Sequence, residues 1–98
     1  MPEYNRRMET KKSFSDKEAK EVGEKLRIKW DKFDVGQFRR GMDVELEHGK
    51  RDSETNVSDD DPITTGKIAL AHLNEFPDYY DRLEKMEKEA ETYWEKEN

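Results

Sequence analysis

The stretch from Thr65 to Leu83 constrains the fold most strongly, because it holds the longest nearly uncharged apolar run in a heavily charged chain. Its apolar residues lie on several sides of about one and a half helical turns: Ile68, Ala69, Leu70, Ala71 and Leu73. A helix that is apolar most of the way round is normally buried. We therefore predict a central helix over about residues 62–75 that is the most buried element of the fold.

Composition allows only a thin core around that helix. The 98 residues are 31% hydrophobic and 45% charged. A chain of this length lies near the lower end of what can bury a self-sufficient core. A homo-oligomer that shares core between copies is therefore one expectation for this chain.

The acidic charge balance argues against a nucleic-acid partner. The chain carries 19 Lys and Arg against 25 Asp and Glu, a formal net charge of −6. A nucleic-acid binder needs a basic stripe that displaces counterions from phosphates. An acidic inhibitor that mimics nucleic acid stays open as an alternative, although the acids alternate with bases throughout, as they do on a simple solubilising surface.

Three kinds of sequence feature are absent, and their absence bears on the cellular location of the protein. The chain contains no cysteine, so disulfides and thiolate metal sites are excluded. No apolar run approaches the roughly 20 residues that cross a bilayer. The N-terminus has no apolar segment of the kind found in secretory signals. We therefore expect a cytoplasmic protein with no membrane partner.

Helix-capping signals mark where the folded domain begins. Residues 1–13 are polar and are predicted to form a flexible N-terminal arm. A single helical domain is predicted over residues 14–98. Ser15 and Glu18 have the spacing of a capping box, and apolar residues at helical spacing carry the first helix to about Arg27.

The second helix is predicted to start with a cap-like pair, Asp34 and Gln37, and to end near His48, with Gly49 as the stop. Its apolar residues recur at helical spacing: Val35, Phe38, Met42 and Leu46. The segment from Met42 to His48 also alternates as a strand would. No partner strand is predicted elsewhere in the chain, so the helix is favoured.

The third and fourth helices are separated by a proline. Asp61 followed by Pro62 is typical of a helix start, and the third helix is predicted to run to about Glu75. Pro77 opens the fourth helix. Apolar residues there step by four and three: Tyr79, Leu83, Met86, Ala90 and Tyr93, with Trp94 alongside. The chain is therefore predicted to be an all-α domain of four helices.

Both histidines lie three residues from a glutamate, near the end of a predicted helix. Residues three apart share a helix face, so each pair can present an imidazole and a carboxylate together. If the second and third helices pack with these ends adjacent, four side chains could converge on one ion: Glu45, His48, His72 and Glu75. Such a ligand set suits zinc, iron or manganese better than calcium.

A structural interpretation competes with the metal site. A histidine in the last turn of a helix is stabilised in its positive form by the helix dipole. The neighbouring tyrosines carry a similar ambiguity. Tyr79 belongs to the apolar stripe of the fourth helix, whereas Tyr80 lies about 100° away round that helix. Tyr80 is therefore either a second core contact or an interaction residue.

Two segments, Gly41–Gly49 and Thr65–Glu87, resemble an uncharacterised family that is catalogued as a domain of unknown function. The matching residues are Gly41, Glu45, Glu47, His48, Ile68, Ala69, His72, Leu73, Glu75, Pro77, Tyr79, Tyr80 and Leu83. The resemblance implies a small protein or module of the kind found in bacteria, archaea and viruses, often in phage polypeptides. Many relatives carry an acid where this chain has Ala71. The resemblance implies no activity.

Three functions of different classes remain open. The favoured one is a non-enzymatic module that acts through contacts with a protein partner, for example as a phage-type accessory domain. The sequence supports it because it contains no Gly-rich phosphate loop, no evident Ser–His pair and no zincin motif. The alternatives are a metal-binding protein that uses the Glu/His pairs and the nucleic-acid mimic.

Overall fold

Four α-helices form the regular structure of residues 13–97, which are the residues that the computed structural model describes. They are α1 (Asp16–Lys25), α2 (Val35–Glu45), α3 (Pro62–Glu75) and α4 (Tyr79–Glu97). A short 3₁₀ helix, Leu46–His48, continues α2. These residues contain no strand, so the all-α prediction is confirmed and Met42–His48 is helical. The predicted arm lies outside the described residues apart from Ser13.

The first three helices begin where the sequence predicts. The hydroxyl of Ser15 accepts from the backbone N–H of Glu18 at 3.1 Å, and the Glu18 carboxylate accepts from the N–H of Ser15 at 2.9 Å. Asp34 and Gln37 make the same reciprocal pair at 2.8 and 3.1 Å. Asp61 caps α3 through a backbone N–H in its first turn, and that bond lowers the pKa of its carboxyl. These caps satisfy N–H groups that a helix start leaves unpaired.

Two helix boundaries differ from the prediction. The first helix ends at Lys25 because the chain turns at Arg27, whose φ of 63° lies in the left-handed region. The fourth helix begins at Tyr79, two residues after Pro77, because Phe76 is extended and residues 77–78 form a turn. Residues 49–60 form a loop that contains no helix.

Packing between α2 and α3 forms most of the core. The largest fully buried side chains are Phe38, Met42, Leu46, Leu73 and Thr65. Four residues of each of these two helices are buried, so the prediction that α3 is the most buried helix is not confirmed. Ala71 is exposed, and Ile68 and Leu70 are only partly buried, because the neighbouring helices cover α3 on one side only.

Gly66 allows α3 to approach α1 and α2 closely. A Cβ atom at this position would lie 2.5 Å from Cγ1 of Val22 on α1 and 3.2 Å from Cζ of Phe38 on α2. Both distances are shorter than normal carbon–carbon contacts of about 3.5–4.0 Å. The absence of a side chain at Gly66 therefore sets the spacing of three helices.

Only the start of α4 packs against the other helices. Tyr80 is buried, and Tyr79 and Leu83 are partly buried. Farther along, Met86, Tyr93 and Trp94 are 57%, 56% and 63% exposed. The predicted apolar stripe of α4 therefore leaves the core after its second turn. Among residues 13–97, no helix is both long enough and apolar enough to cross a membrane.

Gly66→Ala is expected to destabilise the domain by about 1–3 kcal/mol, because the added methyl overpacks the junction of three helices. Gly36→Ala is the matched control, since a Cβ there would meet only an oxygen of Asp34 at 3.4 Å. We expect the control to be neutral or slightly stabilising, because Ala favours helix. Urea denaturation of both variants measures the two effects, and equal stabilities would contradict this account of the packing.

Candidate functional site

A buried carboxylate at the end of α2 is the centre of the candidate site. Glu45 is only 4% exposed. Its Oε2 atom accepts a 2.7 Å hydrogen bond from the hydroxyl of Tyr80, in the first turn of α4. Burying a carboxylate is costly unless hydrogen bonds or opposite charges compensate. The Glu45–Tyr80 bond joins α2 to α4, and its loss would therefore strongly destabilise the fold.

Gly41 makes room for the Tyr80 ring. A Cβ atom at Gly41 would lie 2.5 Å from Cε2 and 3.0 Å from Cζ of Tyr80. Gly41 precedes Glu45 by four residues and so lies on the same face of α2. One helix face thus provides both the gap that admits the ring and the carboxylate that accepts its hydroxyl.

The two histidines flank Glu45, one beside each carboxylate oxygen. Nε2 of His48 lies 4.0 Å from Oε1 of Glu45, and Nε2 of His72 lies 3.7 Å from Oε2. His48 is also 3.6 Å from Oε1 of Glu47. These separations are longer than hydrogen bonds. The fold thus brings both Glu/His pairs to one place, with Glu45 between the two rings.

His72 is held by aromatic packing. Its ring stacks on that of Tyr79 with the centroids 4.3 Å apart and the planes 14° apart, and it meets Tyr80 edge-on at 6.3 Å. Nδ1 of His72 is buried and makes no hydrogen bond. Oε1 of Glu75 lies 3.4 Å from this nitrogen, but the orientation is wrong for a bond. The fourth residue of the predicted site is thus adjacent to His72, on the side away from Glu45.

His48 has a different setting at the end of the 3₁₀ helix. Its imidazole is about half exposed. Its backbone carbonyl accepts from the N–H groups of Val57, at 2.6 Å, and of Ser58, at 3.2 Å. These bonds hold the far end of the 49–60 loop against the end of α2. His48 therefore contributes to the structure through its main chain and leaves its ring accessible.

Burial sets the protonation of the two phenols in the site. It raises the pKa of Tyr80, and the hydrogen bond to Glu45 and the negative charge of that residue raise it further. Burial also raises the pKa of Tyr79, with smaller contributions from the charges of Glu45 and Glu75. Both phenols therefore stay neutral near pH 7, and Tyr80 acts as a hydrogen-bond donor rather than as a base.

The donor atoms are not arranged as a metal centre. Within residues 13–97, no group of three or more histidine, aspartate or glutamate side chains is placed as a bound ion would require. His48 and His72 approach different oxygens of Glu45, and Glu75 lies beyond His72. The predicted residues are neighbours, but they do not form a preformed coordination shell.

Sequence analysis missed two residues that position the site, Gly41 as a packing gap and Arg40 as an anchor. The guanidinium of Arg40 contacts the carboxylates of Asp81 and Glu84 and donates to the backbone carbonyl of Tyr80 at 3.3 Å. A basic residue is unremarkable in a chain with 19 of them. In the sequence, the signal for this packing gap was the position of Gly41, four residues before Glu45.

Tyr80→Phe is expected to destabilise the domain by about 1–3 kcal/mol, because it leaves the buried Glu45 carboxylate without its donor. Tyr93→Phe removes a hydroxyl from an exposed ring and should change stability by no more than about 0.5 kcal/mol. Chemical denaturation at pH 7 compares the two variants. If both lose the same amount, the Glu45–Tyr80 bond does not have the importance assigned to it.

Comparison with known proteins gives one match. No curated protein and no solved structure matches the chain. The model of a family described as "Protein of unknown function (DUF5661)" matches residues 19–89. That span includes all four helices in whole or in part, together with Glu45, both histidines and Tyr80. The chain therefore belongs to this family of unknown function.

Proposed function

We propose that this chain is a non-enzymatic protein-interaction module whose contact surface is the apolar face of α4. We call this face the α4 stripe and define it by six residues: Tyr79, Leu83, Met86, Ala90, Tyr93 and Trp94. The observation that carries the proposal is the exposure of its distal part. Met86, Tyr93 and Trp94 are each more than half exposed, although their spacing is that of a buried helix face.

The composition of the α4 stripe supports this role. Tyr93 and Trp94 pack edge to face with their centroids 5.1 Å apart, and Tyr and Trp are the residues most often found at the energetic centre of protein interfaces. At the near end of the stripe lies a shallow groove of about 160 Å³, lined by Phe76, Tyr79, Arg82, Leu83 and Met86. The groove could accept an apolar side chain of a partner.

The geometry around Glu45 also favours a non-enzymatic role. The carboxylate is almost fully buried and is bonded to Tyr80, so a substrate has little access to it. Burial raises the pKa values of both neighbouring phenols, so they stay protonated near pH 7 and do not serve as general bases. These groups are well explained as supports for the start of α4. The accessory role in phage polypeptides remains part of this proposal and rests on the family resemblance alone.

Charge on α4 gives no support to the nucleic-acid mimic. Arg82 pairs with Asp78 at 2.9 Å, and Lys88 pairs with Glu84 at 3.4 Å. A mimic requires a continuous negative face, whereas bases interrupt the acids along this helix. The interaction surface is therefore better defined by its apolar residues than by its charge.

Met86→Glu is expected to abolish partner binding without unfolding the domain, because Met86 is already 57% exposed. Thr92→Glu is the control, since it adds the same charge to α4 away from the stripe. Quantitative pull-downs from the source organism compare the two variants with the wild type. A partner retained by Thr92→Glu and lost with Met86→Glu supports the proposal. Turnover of a substrate by the isolated domain that survives Met86→Glu would contradict it.

Metal binding is a second candidate function, favoured by the position of Glu45 between the two histidines. The imidazole of His48 is about half exposed, and that of His72 is about one-third exposed. Small side-chain rotations could bring both Nε2 atoms to one ion with Glu45 as the shared carboxylate. Zinc–nitrogen bonds are about 2.0–2.1 Å, so the rings must approach each other. Glu75 would then orient His72 from behind, as carboxylates often do for metal-bound histidines.

Zinc is expected to raise the melting temperature of the domain if this second function is correct. Metal at about 100 times its Kd adds about 2.7 kcal/mol, which raises the melting temperature by roughly 10–20 °C for a domain of this size. His48→Ala and His72→Ala should each abolish the increase, whereas Glu54→Gln, in the exposed loop, should retain it. Differential scanning calorimetry with zinc, iron(II) and manganese measures the effect. Unchanged melting with all three metals would exclude the metal site.

A further inference from the structure

We infer that the α4 stripe binds the same stripe of a second copy of this chain, as a parallel, in-register two-stranded coiled coil. The inference rests on the proposed function and names its partner. It starts from the alternation of three- and four-residue steps along α4, which averages 3.5 residues. That repeat, rather than 3.6, is the one that keeps a helix seam facing a second helix over several turns.

The stripe can be assigned to the two core positions of a heptad repeat. The first core position is occupied by Leu83 and Ala90, and the second by Tyr79, Met86 and Tyr93. The near part of this seam is half covered by the domain itself, since Tyr79 and Leu83 are partly buried. The part from Met86 onward is exposed. A second copy would cover the exposed part and close the groove beside Leu83.

Charge beside the seam selects the second copy and its orientation. In a parallel pair, Arg82 lies opposite Glu87 of the second copy, five residues farther along, and symmetry repeats the pair. Arg82 is already held beside the seam, because its Nε donates to Asp78 at 2.9 Å and its guanidinium lies 4.1 Å from the Phe76 ring centroid. The parallel arrangement therefore places two opposite-charge pairs across the seam.

An antiparallel arrangement of the same seam is disfavoured. With Leu83 opposite Tyr93 of the second copy, Glu87 would face Glu87 and Glu89 would face Glu89. Arg82 would then lie near Lys96 of the second copy. Each of these is a like-charge contact, which opposes association. The charges on α4 thus favour a parallel pair and disfavour the antiparallel one.

Pairing also explains how the exposed end of α4 is stabilised. The helix has 19 residues, a length of about 28 Å, but only its first two turns contact the other helices. The part of α4 beyond its second turn is shorter than about 15 residues, and isolated helices of that length are marginal in water. Burial of Met86, Ala90 and Tyr93 between two copies would supply the tertiary contact that the single domain does not provide.

Disulfide trapping tests the inference directly, because the chain contains no cysteine of its own. Ala90→Cys places a thiol at a core position of the seam, where two copies in a parallel pair lie within the Cα separation of about 4.4–6.8 Å that a disulfide requires. Lys88→Cys is the matched control, since it lies on the opposite side of α4. Under mild oxidation, Ala90→Cys should form covalent dimers and Lys88→Cys should not. Adding Met86→Glu to Ala90→Cys should reduce dimer formation at least about tenfold.

Sedimentation equilibrium of the unmodified chain provides the second measurement. We expect reversible, concentration-dependent dimers that Met86→Glu removes and Thr92→Glu retains, with helicity by circular dichroism confirming that each variant is folded. A monomer at every concentration, or equal cross-linking of Ala90→Cys and Lys88→Cys, would overturn the inference. In a mixture of Ala90→Cys and Met86→Cys chains, cross-links between the two variants without Ala90→Cys homodimers would overturn the parallel orientation. If the chain is a monomer but Met86→Glu still abolishes binding of a partner recovered by pull-down, the inference fails and the proposed function stands. The two failures can therefore be distinguished.

Discussion

The hydrogen bond between Tyr80 and Glu45 is the interaction on which the position of α4 depends. A carboxylate that is 4% exposed needs a compensating donor, and the phenol at 2.7 Å supplies one. Gly41 lets the ring reach the carboxylate by leaving a gap on the same face of α2. Because burial and Glu45 both raise the pKa of Tyr80, the phenol stays protonated and remains a hydrogen-bond donor at neutral pH.

Arg40 fixes the direction in which α4 leaves the domain. It contacts two acids in the first two turns of that helix and donates to the backbone carbonyl of Tyr80. Surface ion pairs are individually weak, but here they act beside a buried hydrogen bond and a packed ring. Together these contacts hold the start of α4 and leave its distal half without packing neighbours among residues 13–97. The exposed distal half of α4 thus extends from an anchored helix start.

The cluster around Glu45 has a structural explanation and also contains the side chains of the proposed metal site. His72 stacks on Tyr79, and the main chain of His48 holds the loop that leads back to α3. Both rings nevertheless have a nitrogen within 4.0 Å of a Glu45 oxygen. A thin core explains why polar side chains are used in this way, because only 31% of the residues are hydrophobic. Both structural support and ligand binding require polar side chains that the fold holds close together, as it does around Glu45.

Local signals in the sequence determined the helices and the neighbours of the candidate site. Capping at Ser15, Asp34 and Asp61 depends on side chains three residues or fewer from the N–H groups they satisfy, so those helix starts could be predicted. The Glu/His spacing likewise identified residues that the fold brings together around Glu45. The spacing could not reveal that the donors stop short of a coordination shell, because that depends on how two helices pack.

Only the tertiary structure decided which apolar faces are covered. Both the α4 stripe and the apolar run of α3 have the spacing of core residues in sequence, yet Leu73 is buried and Met86 is exposed. The difference arises because Gly66 and Gly41 admit close contacts at α3 and at the start of α4, whereas no described element lies beside the end of α4. Periodicity shows that a helix has an apolar face, but coverage depends on partners distant in the chain. The sequence therefore determined the helices and their apolar faces, and long-range packing decided which face remained exposed.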